Sequence, residues 1–395
     1  MGNNRAIVLK RGKEESLQRF HPWIFSGAIQ RVDDGIAEGD VVDVYTSGGQ
    51  GVAVGHYQIG SIAVRVLSFD DEPIDTAFFE RRIASALAMR IGIGIADNPE
   101  NNTYRLVHGE GDLLPGLVID CYGPTAVMQA HSVGMHCCRQ MVCNALLHVM
   151  GDRIAHVYYK SETTLPFKAG LGQENGYIYG GSNDCTAVEN GLRFRVDWLK
   201  GQKTGFFVDQ RDNRLLLERY ARGKRVLNMF CYTGGFSVYA MRGGAQLVHS
   251  VDSSAKAIEL TNANVQMNFP DDARHEAFCA DAFRFLDDHK DKYDLIILDP
   301  PAFAKHRAAL HNALKGYTRL NVKGLERIRQ GGILFTFSCS QVVTKDHFRN
   351  AVFTAAAQAG RKVRILHQLH QPADHPLNIY LPEGEYLKGL VLYVE

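Results

Sequence analysis

The most regular pattern of apolar and polar positions lies in the C-terminal half of the chain. The short, largely apolar run Arg225-Val226-Leu227-Asn228-Met229-Phe230-Cys231 gives way to Tyr232-Thr233-Gly234-Gly235. A second run, Leu247 to Val251, closes in Asp252, and Ala273–Ala280 leads into Asp281-Ala282. Tyr293 to Leu298 ends in Asp299-Pro300-Pro301, and Gly332 to Phe337 ends in Ser338-Cys339-Ser340. Runs of this length, bounded by turn residues, predict buried strands. Phe236, Val238 and Tyr239 open a helix behind the first of them, and Val265–Ile365 continues the alternation. Gly389–Val394 reads as a final strand. Alternating strands and helices predict an α/β domain on an open parallel sheet, whose ligands bind beyond the carboxyl ends of the strands. The glycine pair allows a tight turn close to a ligand. An acid closing the second strand is placed to take two ribose hydroxyls.

The N-terminal half has a different rhythm. Ile7-Val8-Leu9, Gly39–Tyr45, Gly51–Tyr57 and Ile62–Leu67 are short runs at hairpin spacing, which predict a small barrel over residues 1–73. Residues 74–190 read as a central α+β domain. Helical spacing covers Ala77–Ile91 and Met135–Met150, a polar loop covers 97–102, and strands are expected at 105–112, 116–122, 125–130 and 156–159. The α/β domain then spans 191–395.

Composition narrows the field. Apolar residues make up 45% and charged residues 22%, as in an ordinary globular protein, and the net charge is only +1. Any nucleic-acid face must therefore be local. Residues 1–31 carry six Lys or Arg against Glu14 and Glu15, interleaved with Phe20, Trp23 and Phe25. Basic charge among aromatic faces suits single-stranded nucleic acid. For Trp23 and Phe25 individually, the barrel core is the simpler expectation. Arg193–Arg225 is a second basic stretch, with ten Lys or Arg against four Asp or Glu. The eight cysteines form no Cys-x-x-Cys pair, so no metal site is expected. Cys137, Cys138 and Cys143, with His136 and His148 on one helix, read as packing residues. Scattered cysteines, no apolar signal core at the start and no bilayer-length apolar run point to the cytoplasm. Asp209 could cap a helix starting near Gln210.

Three motifs carry a family resemblance. The polar strand ends resemble those of class I S-adenosylmethionine methyltransferases, a Rossmann-like fold. His21-Pro22-Trp23-Ile24-Phe25-Ser26-Gly27 resembles a PUA domain, an RNA-binding barrel. Gly205-Phe206-Phe207-Val208-Asp209-Gln210-Arg211-Asp212-Asn213-Arg214 is similar to the rRNA large-subunit cytosine-C5 methyltransferase I family, and the resemblance spans nearly the whole chain. It implies S-adenosylmethionine as cofactor and a cytidine of large-subunit rRNA as substrate. A homodimer is left open. It assigns ribose, adenine and the methyl-transfer site to Asp252, Asp281 and Asp299. Asn228, Phe230, Tyr232, Thr233, Gly234, Ser253 and Ala282 would line the cofactor, with Phe206 and Gln210 over it. Lys203, Arg211, Pro300 and Pro301 would face the substrate.

The chemistry of that reaction asks for a thiol. Cytosine C5 is a poor nucleophile until a thiolate adds to C6. Cys339 follows the fifth strand and Asp299 the fourth, so the two could share a pocket as the catalytic pair. Cys231, in the cofactor turn, reads as structural. Three other readings are weighed, of which a non-catalytic RNA-binding protein would keep the barrel and tolerate loss of the rim acids, and the presence of those acids argues against it. Asp299-Pro300-Pro301-Ala302-Phe303 resembles the motif of amino methyltransferases, which need no thiol. A NAD-dependent oxidoreductase would use the same sheet and Asp252 without requiring Asp281 or Asp299.

Overall fold

The computed structural model describes residues 4–166, 171, 174–182, 184–289 and 292–395. The chain divides into two compact units. The first comprises Met1–Gly191, Val196–Val208 and Ala373–Gly384, and the second Leu192–Arg195, Asp209–Pro372 and Glu385–Glu395.

The first unit opens with β1 (Ala6–Leu9), α1 (Glu15–Gln18), β2 (Trp23–Phe25), β3 (Ile29–Val32), β4 (Val41–Tyr45), β5 (Gly51–Tyr57) and β6 (Ile62–Ser68). They form a curled six-stranded sheet in the order β2-β6-β5-β4-β1-β3. Alternation sends Ile7, Leu9, Val42, Val44, Val64 and Val66 into one core with Leu17 and Ile24. The expected core places for the aromatics are corrected here. Phe25 is 47% exposed, and Trp23 is half-buried with its indole N–H donating to Glu110 Oε1 (2.9 Å). Alternation along this strand gives the inner face to Ile24, so Trp23 and Phe25, two residues apart, fall on the other face.

α2 (Thr76–Gly92) follows, capped by Asp75, whose carboxylate accepts from the Phe78 amide (2.8 Å). β7 (Thr103–His108), β8 (Leu117–Tyr122), β9 (Thr125–Ala130), α3 (Val133–Cys137), α4 (Arg139–Met150), β10 (His156–Tyr159) and β11 (Gly176–Tyr179) build the second sheet, ordered β11-β10-β9-β8-β7. The single helix expected over 135–150 is two helices, broken at Cys138 (φ −84°, ψ 0°). β12 (Thr186–Glu189) completes the strands of this unit.

In the second unit, β13 (Leu192–Arg195) and α5 (Arg211–Tyr220) precede β14 (Arg225–Met229), α6 (Gly235–Arg242), β15 (Leu247–Asp252), α7 (Ala255–Asn268), β16 (His275–Cys279), α8 (Ala282–Asp288) and β17 (Tyr293–Leu298). Then come α9 (Leu310–Arg327), β18 (Ile328–Ser338), α10 (Lys345–Gln358), β19 (Val363–Leu369) and β20 (Lys388–Val394). The sheet order is β16-β15-β14-β17-β18-β20-β19. Strands β14 to β18 run parallel, and β20 is antiparallel to both neighbours. The chain builds outward from β14 in one direction through β15 and β16, then resumes on its other side at β17. That reversal is a topological switch point, and the loops after β14, β15, β17 and β18 meet at its rim.

Candidate active site

The loop after β14 is held in an unusual backbone conformation. Phe230 (φ 59°), Tyr232 (φ 47°) and Gly234 (φ 73°) all lie in the left-handed region. For the two aromatic residues this costs roughly 1–3 kcal/mol each and needs outside support. α7 supplies it: Thr261 Oγ1 donates to the Tyr232 carbonyl (2.8 Å) and Asn264 Nδ2 to the Thr233 carbonyl (2.8 Å). A Cβ on Gly234 would lie 2.7 Å from Thr261 Cγ2, so only glycine fits both the angle and the space. The loop turns the Tyr232 amide onto Asp252 Oδ2 (3.1 Å), while the Ser254 amide donates to Oδ1 (2.9 Å). Two donors fix this half-buried carboxylate in orientation. An ionised carboxylate has about four acceptor sites, so both oxygens keep capacity for neighbouring hydroxyls.

Behind the loop runs a buried polar chain. Asn228 Nδ2 donates to Ser237 Oγ (2.8 Å), which meets Ser250 Oγ (2.7 Å), which meets His275 Nε2 (2.8 Å). Asn228 is 1% exposed and its Oδ1 has no hydrogen-bond partner. Asp281 is exposed and caps α8, accepting from the Arg284 amide (3.0 Å). Ser253 is exposed, Ala282 and Thr233 are buried, and Phe230 and Tyr232 are half-buried.

At the next two strand ends the side chains draw together. Gln210 Nε2 donates to Asp299 Oδ2 (3.0 Å), and Asn213 Nδ2 donates to Gln210 Oε1 (2.6 Å). The capping role expected of Asp209 is corrected. It sits in a tight turn over Val208–Gln210, and Tyr386 donates its hydroxyl to Oδ2 (2.8 Å). Arg211 is only 3% exposed, Pro300 is buried and Pro301 is exposed. Phe206 and Lys203 belong to the first unit, where Phe206 is buried and the Lys203 ammonium lies 4.4 Å over the Phe207 ring.

Leu298 and Thr336 are in register on β17 and β18, so Asp299 and Cys339 emerge from adjacent parallel strands. Cys339 is half-buried, with Sγ 3.9 Å from the Pro300 carbonyl oxygen. Its neighbours pin it on both sides. Ser338 Oγ donates to Tyr317 (3.0 Å), while Ser340 Oγ donates to the Ala304 carbonyl (2.9 Å) and accepts from the Ala304 amide (3.1 Å). Sequence reasoning missed Lys388. It lies opposite Ser338 on β20, is 4% exposed, and donates to the carbonyls of Ser340 (2.6 Å) and Val343 (2.5 Å). Burial pushes its ammonium down to about 8, against the opposing pull of Cys339 and Glu385. The only signal in sequence was a lysine directly before the apolar run Gly389–Val394.

Cys231 is a contrasting thiol. It is buried against Thr261 Oγ1 (3.5 Å), and burial pushes it up to about 12. Among the described residues no group of three or more His, Cys, Asp or Glu is placed to hold a metal, and no helix is long and apolar enough to cross a membrane.

Comparison with known proteins decides what this rim belongs to. Residues 178–379 match the S-adenosylmethionine-dependent methyltransferase family, and residues 7–69 match the PUA-like domain. The ribosomal RNA large subunit methyltransferase I of Aeromonas hydrophila is 41% identical over 395 residues, covering 98% of each chain. That of Escherichia coli is 39% identical over 395 residues, covering 98% of this chain and 99% of its own. The chain belongs to the ribosomal RNA large subunit methyltransferase I family. A solved methyltransferase complexed with SAH shares the fold, with a TM-score of 0.84 at 24% identity over 98% of this chain and 99% of its own.

As a member of this family the protein uses S-adenosylmethionine, and the oxidoreductase alternative falls with that match. The residues present fit the cofactor. Asp252 offers an oriented carboxylate for ribose, the strained 230–234 loop brings backbone close beside it, and Asn228 leaves an acceptor unused.

Proposed function

We propose that the protein methylates C5 of a cytidine in large-subunit rRNA through a transient thioether to Cys339, in the cytoplasm. The observation that carries this is a pinned, half-buried cysteine beside the Asp299-Pro300 loop with a buried lysine behind it. A reaction at an exocyclic amine has no use for that thiol. The chain length with eight free cysteines suits a reducing compartment. In the PUA-like domain, Phe20 and Phe25 are exposed among the exposed Lys10, Arg11, Lys13 and Arg19, as an RNA-binding face requires.

The steps follow from the residues. Cys339, as thiolate, forms a bond to C6 of the ring, and the C5–C6 π pair moves to C5. Asp299, at the adjacent strand end, would in its acid form hydrogen-bond N3 as charge develops there, and would take back any proton it gave when the ring is restored. Gln210 orients its carboxyl group. S-adenosylmethionine, when bound, would supply an electrophilic methyl group for the C5 pair to bond, the methyl–sulfur pair leaving with S-adenosylhomocysteine. Loss of the C5 proton to a base then returns the electron pair to the ring and expels Cys339 as thiolate.

The test uses RNA carrying 5-fluorocytidine, in which fluorine replaces the proton that must leave. The intact enzyme and Cys231→Ala should both form a covalent adduct with it. Cys339→Ala should form none, should keep its cofactor affinity, and should lose turnover beyond the ~10²–10⁴-fold typical of a general acid or base. Near-normal turnover in Cys339→Ala would favour transfer to an amine at Asp299-Pro300-Pro301 instead.

A further inference from the structure

The stretch that follows Asp299-Pro300-Pro301 is charged in one sense only. From Lys305 to Lys323 there are five Lys or Arg and no Asp or Glu, in a chain whose net charge is +1. The fold turns this stretch into one wall of a groove. α9 and α10 pack side by side and leave between them a groove of about 550 Å³. His311, Lys315, Arg319 and Lys323, at four-residue spacing, line it from α9, and His347 and Asn350 from α10. No acid is among its lining residues.

The groove has a direction. α9 follows the Asp299 loop and α10 follows the Cys339 loop, each from the carboxyl end of a parallel strand. Both helices therefore begin at the catalytic rim, and His311 and His347 lie in their first turns. From there the groove runs away from the rim in steps of about 6 Å, the rise of four helical residues. Successive phosphates of an extended strand have a similar spacing. His311, Lys315 and Arg319, toward the rim end, are exposed, with the Arg319 guanidinium 4.5 Å over the Phe283 ring, whereas Lys323 is paired with Asp287 (2.7 Å) and Glu326 (3.5 Å). His347 keeps a buried Nδ1 with no hydrogen-bond partner.

We infer that the α9–α10 groove binds the phosphate backbone of the RNA strand whose base enters the site. This rests on the RNA reading proposed above, and it adds a contact surface in the methyltransferase unit to that of the PUA-like domain. Phosphate contacts position a strand without reading its sequence. The groove should therefore act on any single-stranded RNA.

The test is the doubly charge-reversed Lys315→Glu/Arg319→Glu in the full chain. Its control is Arg222→Glu/Lys362→Glu, which makes the same change in net charge at exposed positions before β14 and β19, at the amino ends of the parallel strands. Binding of fluorescent single-stranded rRNA fragments and of an unrelated single strand is followed from low to high salt. The groove variant should bind both RNAs about tenfold more weakly or worse at low salt. The slope of log affinity against log salt should fall by about 0.7 for each lost contact. SAH affinity by calorimetry should stay at the wild-type value, as should both RNA affinities of the control. The conservative Lys315→Arg/Arg319→Lys should bind RNA normally. Wild-type RNA affinity and salt slope in the groove variant would overturn the inference, and would be the result if a protein docked there instead. An equal loss in the control would overturn it too. If the wild type shows the groove-dependent binding but methylates no large-subunit rRNA, the substrate assignment fails and the groove stands.

Discussion

Each unit buries a basic side chain, and the two are satisfied in opposite ways. In the first unit Arg90 is fully buried and saturated. Its guanidinium donates to the carbonyls of Arg105 (2.8 Å), Ala86 (3.3 Å) and Asp374 (2.7 Å), and grips both oxygens of Asp112. In the second unit Lys388 is almost as deeply buried, yet its two hydrogen bonds go to carbonyls, and the groups that pull on its charge are Cys339 and Glu385. Glu385 is itself paired with Lys345 (2.5 Å). A guanidinium locked to a carboxylate and to the Asp374 carbonyl tells a distant segment of the chain where to pack. An ammonium held by carbonyls beside a thiol is poorly compensated, which makes it responsive to that thiol. The comparison sets a cation that serves structure against one placed beside the proposed nucleophile.

The largest effect should come from breaking the first. Arg90→Met leaves Asp112 buried without its partner, a loss of about 3–5 kcal/mol. Both tryptophans, Trp23 and Trp198, lie in the first unit, so their fluorescence reports that unit alone. A urea titration followed by tryptophan emission should show the midpoint falling sharply in Arg90→Met. An unmoved midpoint would mean that the pair contributes no net stability.

Breaking the second should be felt in the chemistry. Lys388→Met keeps the apolar stem and removes the charge and the clamp on the Cys339 loop. Turnover should fall about 10–100-fold, some 1.4–2.8 kcal/mol of barrier. The tryptophan-monitored midpoint should not change. The decisive readout is the pH dependence of iodoacetamide alkylation, followed at the Cys339 peptide by mass spectrometry because Cys137 and Cys279 are exposed as well. Losing a nearby positive charge should move its midpoint upward by about one pH unit, ~1.4 kcal/mol. If Lys388 only holds the loop, the rate drops but the midpoint stays. Lys388 itself has the opposite pH signature. Its folded value lies below the ordinary lysine range, so it costs stability while charged, and that cost is relieved as pH rises from about 8.

The same contrast shows what a sequence can reveal. Asp252, Asp299 and Cys339 were legible because each closes a short apolar run, and strand ends of a parallel sheet share one rim. Arg90 left a trace as well. It falls on the helical stripe of Phe79, Ile83 and Leu87, where a charge needs a partner. Nothing local names that partner's neighbour Asp374, 284 residues away. Lys388 was missed for the same reason: its place beside Cys339 depends on the register of β20 against β18, which pairs it with Ser338. Asp209 was misread because a capping residue and a tertiary acceptor for Tyr386 look alike in one dimension. The exposure of Phe25 also had no local sign, since aromatic residues in a short strand serve either face. Placement at strand ends was readable, and placement set by register was not.

The smallest effect concerns buried bases that avoid charge altogether. His56 in the first unit is 1% exposed, and burial followed by the Arg65 charge lowers it to about 4. Its Nδ1 has no partner and its Nε2 meets Cys138 Sγ (3.6 Å). His275 in the second unit is also lowered to about 4, by burial and then by His249, with its Nε2 on Ser250. Asp272 pulls the other way on His275 but does not offset burial and His249. An unfolded histidine takes up a proton near pH 6.5, whereas these two resist it until about 4. The unfolded chain therefore binds more protons in that window. Stability is full above about 6.5 and is lost as the pH falls toward 4. Going from pH 7 to 5.5 should cost about 1.4 kcal/mol for each such histidine. His108 is lowered too, by burial first and then by Arg105, and adds to the slope of the first unit, so the readout is the difference between proteins. His56→Gln should make the tryptophan-monitored stability less steep in pH by about one proton, while His275→Gln should leave that slope alone. An equal slope in wild type and His56→Gln would show that the imidazole is already charged in the fold. It would then need an acid partner of the kind that Arg90 has.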